Sequence, residues 1–134
     1  MNEVIEFLSE NPVVYLATLG LDGNAKVRPI MYYFEENGNP YFCTANTKPM
    51  YKELDANNNF ELTAANSEFK WLRISGEVEF VDDLRLKEKV LELNDLVKGL
   101  YETADNPVFE LFTLKNAHAV IADFSGEPAK EFDL

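Results

Sequence analysis

Two tight turns divide the first third of the chain into three short apolar segments. Strands are predicted over residues 13–19, 25–34 and 40–44, and the turns between them contain Asp22-Gly23 and Asn37-Gly38. Asp-Gly and Asn-Gly pairs between apolar runs are strong local signals for a β-hairpin, because both residues tolerate a positive φ. This part of the chain is therefore predicted to form an antiparallel meander.

The remainder of the chain alternates further strands with helices. Helices are predicted over residues 2–10, about 48–57 and 83–101, and strands near 60–65, 70–82, 109–115 and 117–124. The segment 83–101 is interpreted as one long amphipathic helix, because its leucines and valines recur at helical spacing. Hairpin-connected strands with segregated helices predict an α+β fold with an antiparallel barrel or sheet. A chain of 134 residues is expected to form one domain, residues 1–134.

The charge of the chain argues against several classes of partner. It has 24 acidic and 12 basic side chains, a formal net charge of −12. We therefore expect no binding to nucleic acid or to anionic membranes. The N-terminus does not resemble a signal peptide and the only cysteine is Cys43, so a cytoplasmic location is expected. One histidine and one cysteine give no support for a metal site.

Half of the basic residues nevertheless fall between positions 26 and 73. Groups that can bind an anion are concentrated in the segment 43–54, which contains Thr44, Asn46, Thr47, Lys48 and Lys52. It leads into the first turn of a predicted helix, where unpaired N–H groups and partial positive charge favour an anion such as phosphate. A capped surface helix with two solvated lysines is the alternative for this segment taken alone.

Two other segments carry polar groups in unusual places. Pro29 interrupts a predicted strand and removes a hydrogen-bond donor, which places that strand at an edge, a bulge or a split in the sheet. Arg28 beside it suits a flat ligand with phosphate or carbonyl oxygens, although an ordinary edge-strand arginine would look the same. Trp71 lies with Arg73 on the polar face of another strand, which suggests an interface or a ligand contact. A Trp71–Arg73 pair covered by a loop is the alternative.

Together these segments resemble the pyridoxamine 5′-phosphate oxidase-like family of FMN-binding split-barrel proteins. The resemblance rests on Val14-Tyr-Leu-Ala-Thr18, Val27-Arg-Pro-Ile-Met31, Phe42-Cys-Thr-Ala-Asn-Thr-Lys48 with Tyr51-Lys52, and Trp71-Leu-Arg-Ile-Ser-Gly76. It implies a six-stranded antiparallel split β-barrel with flanking helices. It also implies a homodimer that binds FMN at the subunit interface.

The same resemblance implies which residues contact FMN. Arg28, Pro29, Ile30 and Met31 would line the isoalloxazine ring, and Thr44, Ala45, Asn46, Thr47, Lys48 and Lys52 would hold the ribityl chain and phosphate. Trp71 and Arg73 would come from the partner subunit. No catalytic side chain is predicted, because the lone His118 cannot be matched to a nucleophile.

One departure from the family bears on function. The vitamin-forming oxidases carry C-terminal tryptophan and arginine residues that grip flavin and substrate, whereas this chain has neither after Arg85. The sequence is more similar to the short bacterial members and argues against pyridoxal phosphate synthesis. The leading hypothesis is an FMN-dependent oxidoreductase acting on a small planar organic substrate. The alternative is a non-catalytic module that stores or senses flavin or binds haem, and a deazaflavin could replace FMN.

Overall fold

The computed structural model describes residues 2–134. The helices are α1 (Asn2–Glu10), α2 (Pro49–Ala56), α3 (Leu84–Leu93) and α4 (Asp95–Tyr101). The strands are β1 (Val13–Leu19), β2 (Ala25–Glu36), β3 (Asn39–Ala45), β4 (Asn59–Ala65), β5 (Trp71–Val81), β6 (Phe109–Ala122) and β7 (Lys130–Asp133). Each strand predicted from the first three apolar segments is present within a few residues of its expected bounds.

The first six strands close into an antiparallel barrel. The strand order is β3-β2-β1-β4-β5-β6, and β3 also pairs with the first part of β6, which completes the circuit. The short strand β7 pairs with the last part of β6 outside that circuit. The predicted six-stranded antiparallel split barrel with flanking helices is therefore confirmed.

Strand alternation explains why the barrel has one continuous apolar interior. Val14, Leu16, Leu62 and Ile74 alternate with exposed or half-buried neighbours and are themselves buried in the core. Burying an aliphatic side chain of this size contributes about 1.5–3 kcal/mol. A second apolar cluster lies under α3 and α4 and includes Phe109 from β6. The two clusters hold the helices against the barrel.

The barrel is split along one edge of β2. Residues 32–36 of β2 pair with β3, whereas residues 25–31 pair only with β1 among the described strands. The N–H of Tyr32 donates to the carbonyl of Pro12, 2.8 Å away, so by alternation the main-chain groups of Val27, Pro29 and Met31 point away from β1. Pro29 is tolerated because its missing N–H would face this unpaired edge.

The prediction of one long helix over residues 83–101 is wrong. Asn94 has an extended backbone (φ −142°, ψ 106°) and separates α3 from α4. Its N–H donates to the carbonyl of Val90, and its side-chain oxygen accepts from the N–H of Val97 at 3.1 Å. Asn94 therefore ends one helix and caps the next, a role for which its short polar side chain is suited.

The two strands predicted over residues 109–115 and 117–124 form a single strand, β6. The pairing of β5 with β6 shifts register between Ser75 and Glu77, and Asn116 adopts a positive φ of 48° at the same place. This bulge bends the strand without ending it, which explains why the local sequence resembles a turn. Strand β7 was not predicted from the sequence.

Candidate functional site

A cleft of about 560 Å³ opens at the split edge of β2. Its walls come from β2 (Arg28, Pro29, Ile30, Met31, Tyr33), from β3 and the start of α2 (Cys43, Thr44, Lys48, Pro49, Met50), from β1 (Val13) and from α4 (Val97, Leu100, Tyr101). The structure thus brings the Arg28–Met31 segment and the Thr44–Lys48 segment to one cavity. These segments belong to consecutive parts of the chain, and the β2–β3 hairpin brings them to the same cavity.

Arg28 lines the cleft, but its guanidinium is committed to neighbours within the chain. Nη2 lies 2.7 Å from Oε1 of Glu53, and Nη1 donates to the hydroxyl of Thr18 and the carbonyl of Leu16. The Thr18 hydroxyl in turn donates to Glu53, 2.8 Å away, and Glu53 is buried. Arg28 therefore anchors α2 to the barrel wall, a structural role that its strand position alone does not reveal.

The first turn of α2 begins beside the cleft without a side-chain cap. Lys48 occupies the N-cap position in an extended conformation (φ −83°, ψ 149°), and Pro49 follows at the first helical position. The extended Lys48 agrees with the effect expected of a following proline. No side chain caps this helix, which differs from the capped surface helix considered as the alternative for this segment. Thr47, Lys48 and Lys52 are all exposed.

The remaining residues of the predicted phosphate segment differ in their availability. Thr44 is buried in the cleft wall, with its hydroxyl 3.9 Å from the sulfur of Met50. Ala45 is also buried and does not line the cleft. The side-chain amide of Asn46 donates to the carbonyl of Pro107 and to Oε2 of Glu110, at 2.7 and 2.9 Å. The amide N–H groups of Asn46 thus tie the end of β3 to β6.

Trp71 and Arg73 lie on the outer face of β5 and do not line the cleft. Cross-strand pairing places Arg73 opposite Thr63, Thr63 opposite Tyr15, and Tyr15 opposite Pro29. Three strand spacings of about 4.8 Å put Arg73 roughly 14 Å across the sheet from Pro29. The assignment of Trp71 and Arg73 to a partner subunit stays a prediction.

Both outer-face residues have neighbours within the chain. The ring of Trp71 packs against Phe124, with 5.0 Å between centroids, and this contact leaves Trp71 half-buried. Nε of Arg73 lies 3.3 Å from Oε1 of Glu61 in an exposed ion pair. A surface pair of this kind contributes little to stability, so Arg73 can change partner at small cost.

Several cleft residues were not singled out by the sequence interpretation. They are Val13, Tyr33, Val97, Leu100 and Tyr101, and three of them lie on α4. The strand pattern could have identified Tyr33, which continues β2 beyond Met31. The α4 residues could not be found in this way, because their position depends on the break at Asn94.

The thiol and phenol groups of the cleft wall stay protonated at physiological pH. Burial raises the pKa of the Cys43 thiol to about 11, and the same cause raises the pKa of the Tyr33 and Tyr101 hydroxyls. A protonated thiol is a poor nucleophile, so Cys43 is not suited to covalent chemistry. His118 lies on β6 outside the cleft lining.

Within the described part of the chain, no cluster of three or more potential metal ligands occurs. Within residues 2–134, no helix is both long and apolar enough to cross a membrane.

Comparison with known proteins identifies the family. A model of the pyridoxamine 5′-phosphate oxidase family matches residues 1–119. The chain belongs to the pyridoxamine 5′-phosphate oxidase family. This family member is similar to a NimC/NimA family protein from Clostridium acetobutylicum, with 33% identity, 100% of this chain and 92% of the other covered, and a TM-score of 0.90. No curated protein matches it significantly.

Two more distant structures show the same fold. One is a pyridoxamine 5′-phosphate oxidase-related, FMN-binding protein from Nostoc punctiforme, with 16% identity, 97% and 87% coverage of the two chains and a TM-score of 0.73. The other is a heme-binding protein from Mycobacterium smegmatis, with 16% identity, 93% of this chain and 54% of the other covered, and a TM-score of 0.71. Members of this fold thus include both FMN-binding and haem-binding proteins.

Proposed function

We propose that the cleft binds FMN and that the protein is an FMN-dependent oxidoreductase acting on a small planar organic substrate. Membership of the pyridoxamine 5′-phosphate oxidase family supports this proposal. The observation that carries it is the meeting of two features in one cleft. These are the uncapped first turn of α2 and the unpaired edge of β2.

The start of α2 suits the phosphate of FMN. No side chain caps its first turn, and the partial positive charge of a helix N-terminus favours an anion. Lys48 lines the cleft at this point, and Thr47 and Lys52 are exposed on either side of it. The phosphate would be held by Thr47, Lys48 and Lys52, in a chain that is otherwise strongly acidic.

The free edge of β2 suits the polar edge of a flavin ring. The carbonyls of Pro29 and Met31 and the N–H of Met31 point away from β1, so they provide acceptors and a donor along one line. Ile30 and Met31 add apolar surface to the same wall. Arg28 would shape this wall from behind rather than bind the phosphate, because its guanidinium is already paired with Glu53.

Bound FMN would supply the electron-transfer chemistry. The protein would hold the ring in place, exclude water and set the local electrostatics. The neutral Cys43, Tyr33 and Tyr101 give the cleft hydrogen-bonding groups without adding charge. Such a division of roles requires no catalytic acid or base from the chain, in keeping with the lack of a catalytic constellation in the sequence.

A second copy of the chain would complete the site. The outer face of β1 and β2 exposes large apolar side chains, with 50% of Tyr15 and 68% of Val27 accessible. Val13 and Met31 are paired on this face and also line the cleft, so the cleft opens onto it. A homodimer formed through this face would bury the apolar surface and could bring Trp71 and Arg73 of the partner subunit to the cofactor.

Titration of cofactor-free protein with FMN tests the proposal. Lys48→Ala and Lys52→Ala should each weaken binding by about 1–3 kcal/mol, the scale of a lost charge-assisted hydrogen bond. Lys98→Ala is the matched control, because Lys98 is an exposed lysine on α4 that does not line the cleft. Unchanged affinity in both test variants would exclude this phosphate position. A protein that takes up no FMN would contradict the proposal as a whole.

A non-catalytic binding module is the second candidate function. It is favoured by the fold shared with the heme-binding protein, and its ligand would be flavin, a deazaflavin or haem. The chain's only histidine lies outside the cleft, so haem iron would lack an imidazole ligand there. The visible spectrum of the purified protein distinguishes these ligands. Binding of flavin without turnover of any acceptor would favour the module over the enzyme.

A further inference from the structure

The cleft carries very little charge that a substrate could use. Only Arg28 and Lys48 among its lining residues are charged. The guanidinium of Arg28 is neutralised by Glu53, which lies 2.7 Å away. Lys48 stands at the N-terminus of α2, where the proposed function assigns it to the phosphate of FMN. No uncompensated cation therefore remains among the lining residues for a second anion.

Helix α4 forms an apolar wall of the same cleft. It contributes Val97, Leu100 and Tyr101, whereas its charged residues Asp95 and Lys98 are exposed and do not line the cleft. The Asn94 amide lies 4.0 Å from the sulfur of Met31, which places the start of α4 beside the free edge of β2. The ring of Tyr101 stacks on Phe109 at 4.6 Å, which holds the other end of α4 against β6.

The polar groups left in the cleft are neutral donors. The hydroxyls of Tyr33 and Tyr101 and the thiol of Cys43 can each donate a hydrogen bond, and burial keeps all three protonated. Such groups can pair with carbonyl-type oxygens on a ligand. They cannot offset the desolvation of a phosphate, sulfonate or carboxylate, because a buried anion requires a cation or several strong donors.

We infer that α4 is the substrate-specificity wall of the cleft and selects an uncharged, flat, apolar electron acceptor that carries carbonyl-type oxygens. The inference rests on the proposed FMN-dependent function and specifies its substrate class. A simple quinone has this chemistry. A phosphorylated substrate does not, although the family takes its name from one.

The proposed reaction is a two-electron reduction of the quinone. Bound FMN, once reduced, would supply two electrons and two protons to the quinone, whose two C=O groups would become C–OH groups, and the flavin would be left oxidised. A reduced nicotinamide is the class of donor that would restore dihydroflavin. Photochemical reduction replaces that donor in the experiment, so the result does not depend on which donor the protein uses.

The experiment compares naphthoquinone with its ring sulfonate. The FMN complex is photoreduced without oxygen and mixed with each quinone, and the rate of flavin reoxidation is recorded. The rates of reoxidation of free reduced FMN by each quinone are also measured, and they correct for the different intrinsic reactivities of the two quinones. The dissociation constant of each quinone from the oxidised complex, read from the flavin absorbance, provides a measurement that is independent of turnover.

Relative to free FMN, the complex should favour the uncharged quinone by about tenfold or more in both rate and affinity, because the cleft-lining residues of the subunit offer the sulfonate no free cation. Leu100→Lys places a cation on the wall and should reduce this preference by about fivefold or more. Leu96→Lys is the matched control. Leu96 lies on the same helix, is 74% exposed and does not line the cleft, so it should leave the preference unchanged.

The possible outcomes separate this inference from the proposed function. If the protein binds FMN but shows no preference beyond that of free FMN, the inference about α4 is wrong and FMN binding stands. The inference is equally wrong if Leu96→Lys changes the preference as much as Leu100→Lys does. If the protein binds no FMN, the proposed function fails and the inference fails with it.

Discussion

Arg28 illustrates how the environment of a single residue decides its role. Arg28 lines the cleft, yet its guanidinium binds Glu53, Thr18 and the carbonyl of Leu16. The network joins β1, β2 and α2 through side chains that are largely shielded from water. A charge pair in such a place contributes most to the structure by holding its surroundings in one arrangement, since its own Coulomb energy is offset by desolvation.

Replacing Glu53 should therefore destabilise the fold. Glu53→Ala leaves the Arg28 guanidinium without its counter-charge, and the free energy of unfolding should fall by about 2–4 kcal/mol. Urea denaturation measures this change. Glu61→Ala breaks the exposed pair with Arg73 and should cost under about 1 kcal/mol. Equal decreases in the free energy of unfolding of the two variants would show that the Arg28 network stabilises the fold no more than an exposed ion pair does.

At the scale of the secondary-structure elements, irregular positions within a strand or between two helices shape the fold. Gly76 adopts a φ of 155° in β5, where a Cβ atom would lie 2.7 Å from the Cα of Ala117. The register shift between β5 and β6 occurs at this glycine, and β6 continues through it. The break at Asn94 similarly divides α3 from α4 and directs α4 to the cleft.

A side chain at the β5–β6 bulge should disturb the barrel. Gly76→Ala forces its methyl group against the backbone of β6, and we expect a loss of about 2–4 kcal/mol in the free energy of unfolding. Gly99→Ala is the control, because a Cβ atom there meets nothing within 4 Å and α4 gains a better helix former. That variant should be neutral or slightly more stable. A neutral Gly76→Ala in thermal or urea unfolding would contradict the packing at this bulge.

The terminal strand β7 is attached to β6 through a charged clamp. Nδ1 and Nε2 of His118 each lie 2.9 Å from a carboxylate oxygen, of Asp133 and Glu131 respectively. Carboxylates only accept hydrogen bonds, so the protonated imidazole, which donates from both ring nitrogens, is the form that satisfies both contacts. The pKa of His118 is accordingly raised above its ordinary value of 6.5, by Asp133 first and Glu131 second. On β5, Ser75 lies opposite His118, with Arg73 and Glu77 on either side of Ser75.

The clamp predicts a pH-dependent attachment of β7. A pKa that is raised in the folded state gives stability that is fully present below the ordinary imidazole pKa and is lost as the pH rises through the raised value. Hydrogen exchange of the β7 amides should therefore show His118→Gln less protected than the parent at mildly acidic pH and equal to it at alkaline pH. Lys130→Gln removes the contact of β7 with Glu3 and should have an effect that does not vary over this range. A constant difference for His118→Gln would contradict the clamp.

At the scale of the whole molecule, the cleft and the apolar outer face are parts of one surface. Val13 and Met31 belong to both, and the row that contains Tyr15 continues through Thr63 to Arg73. A large exposed apolar face is unusual for a monomer and indicates a contact surface. Formation of the proposed homodimer would therefore both bury this face and close the cleft.

Charge placed at the centre of this face should separate the subunits. Tyr15→Lys should weaken dimerisation by about 2 kcal/mol or more, the scale of a central interface residue, and FMN affinity should fall with it. Light scattering coupled to size exclusion measures the mass, and FMN titration measures the affinity. Leu21→Lys is the control, because Leu21 is 69% exposed in the β1–β2 turn. Dimers that persist unchanged in Tyr15→Lys would exclude this interface.

Local features of the chain could be predicted because their causes lie within a few residues. Alternating apolar residues and the Asp22-Gly23 turn were sufficient to predict the early strands, and Pro29 indicated the split edge. The start of α2 was also predictable, since the Lys48-Pro49 step sets its backbone. These features depend on steric limits and hydrogen-bond supply at each position, which the sequence states directly.

What the sequence alone determined was thus the pattern of the first strands, their hairpin turns and the two segments that line the cleft. Only the tertiary structure decided that Arg28 is paired with Glu53, that Trp71 lies away from its own cleft, and that α4 forms one of the cleft walls. Each of these depends on contacts between residues distant in the chain. Such contacts are set by barrel closure and by the break at Asn94, and no pattern of neighbouring residues encodes them.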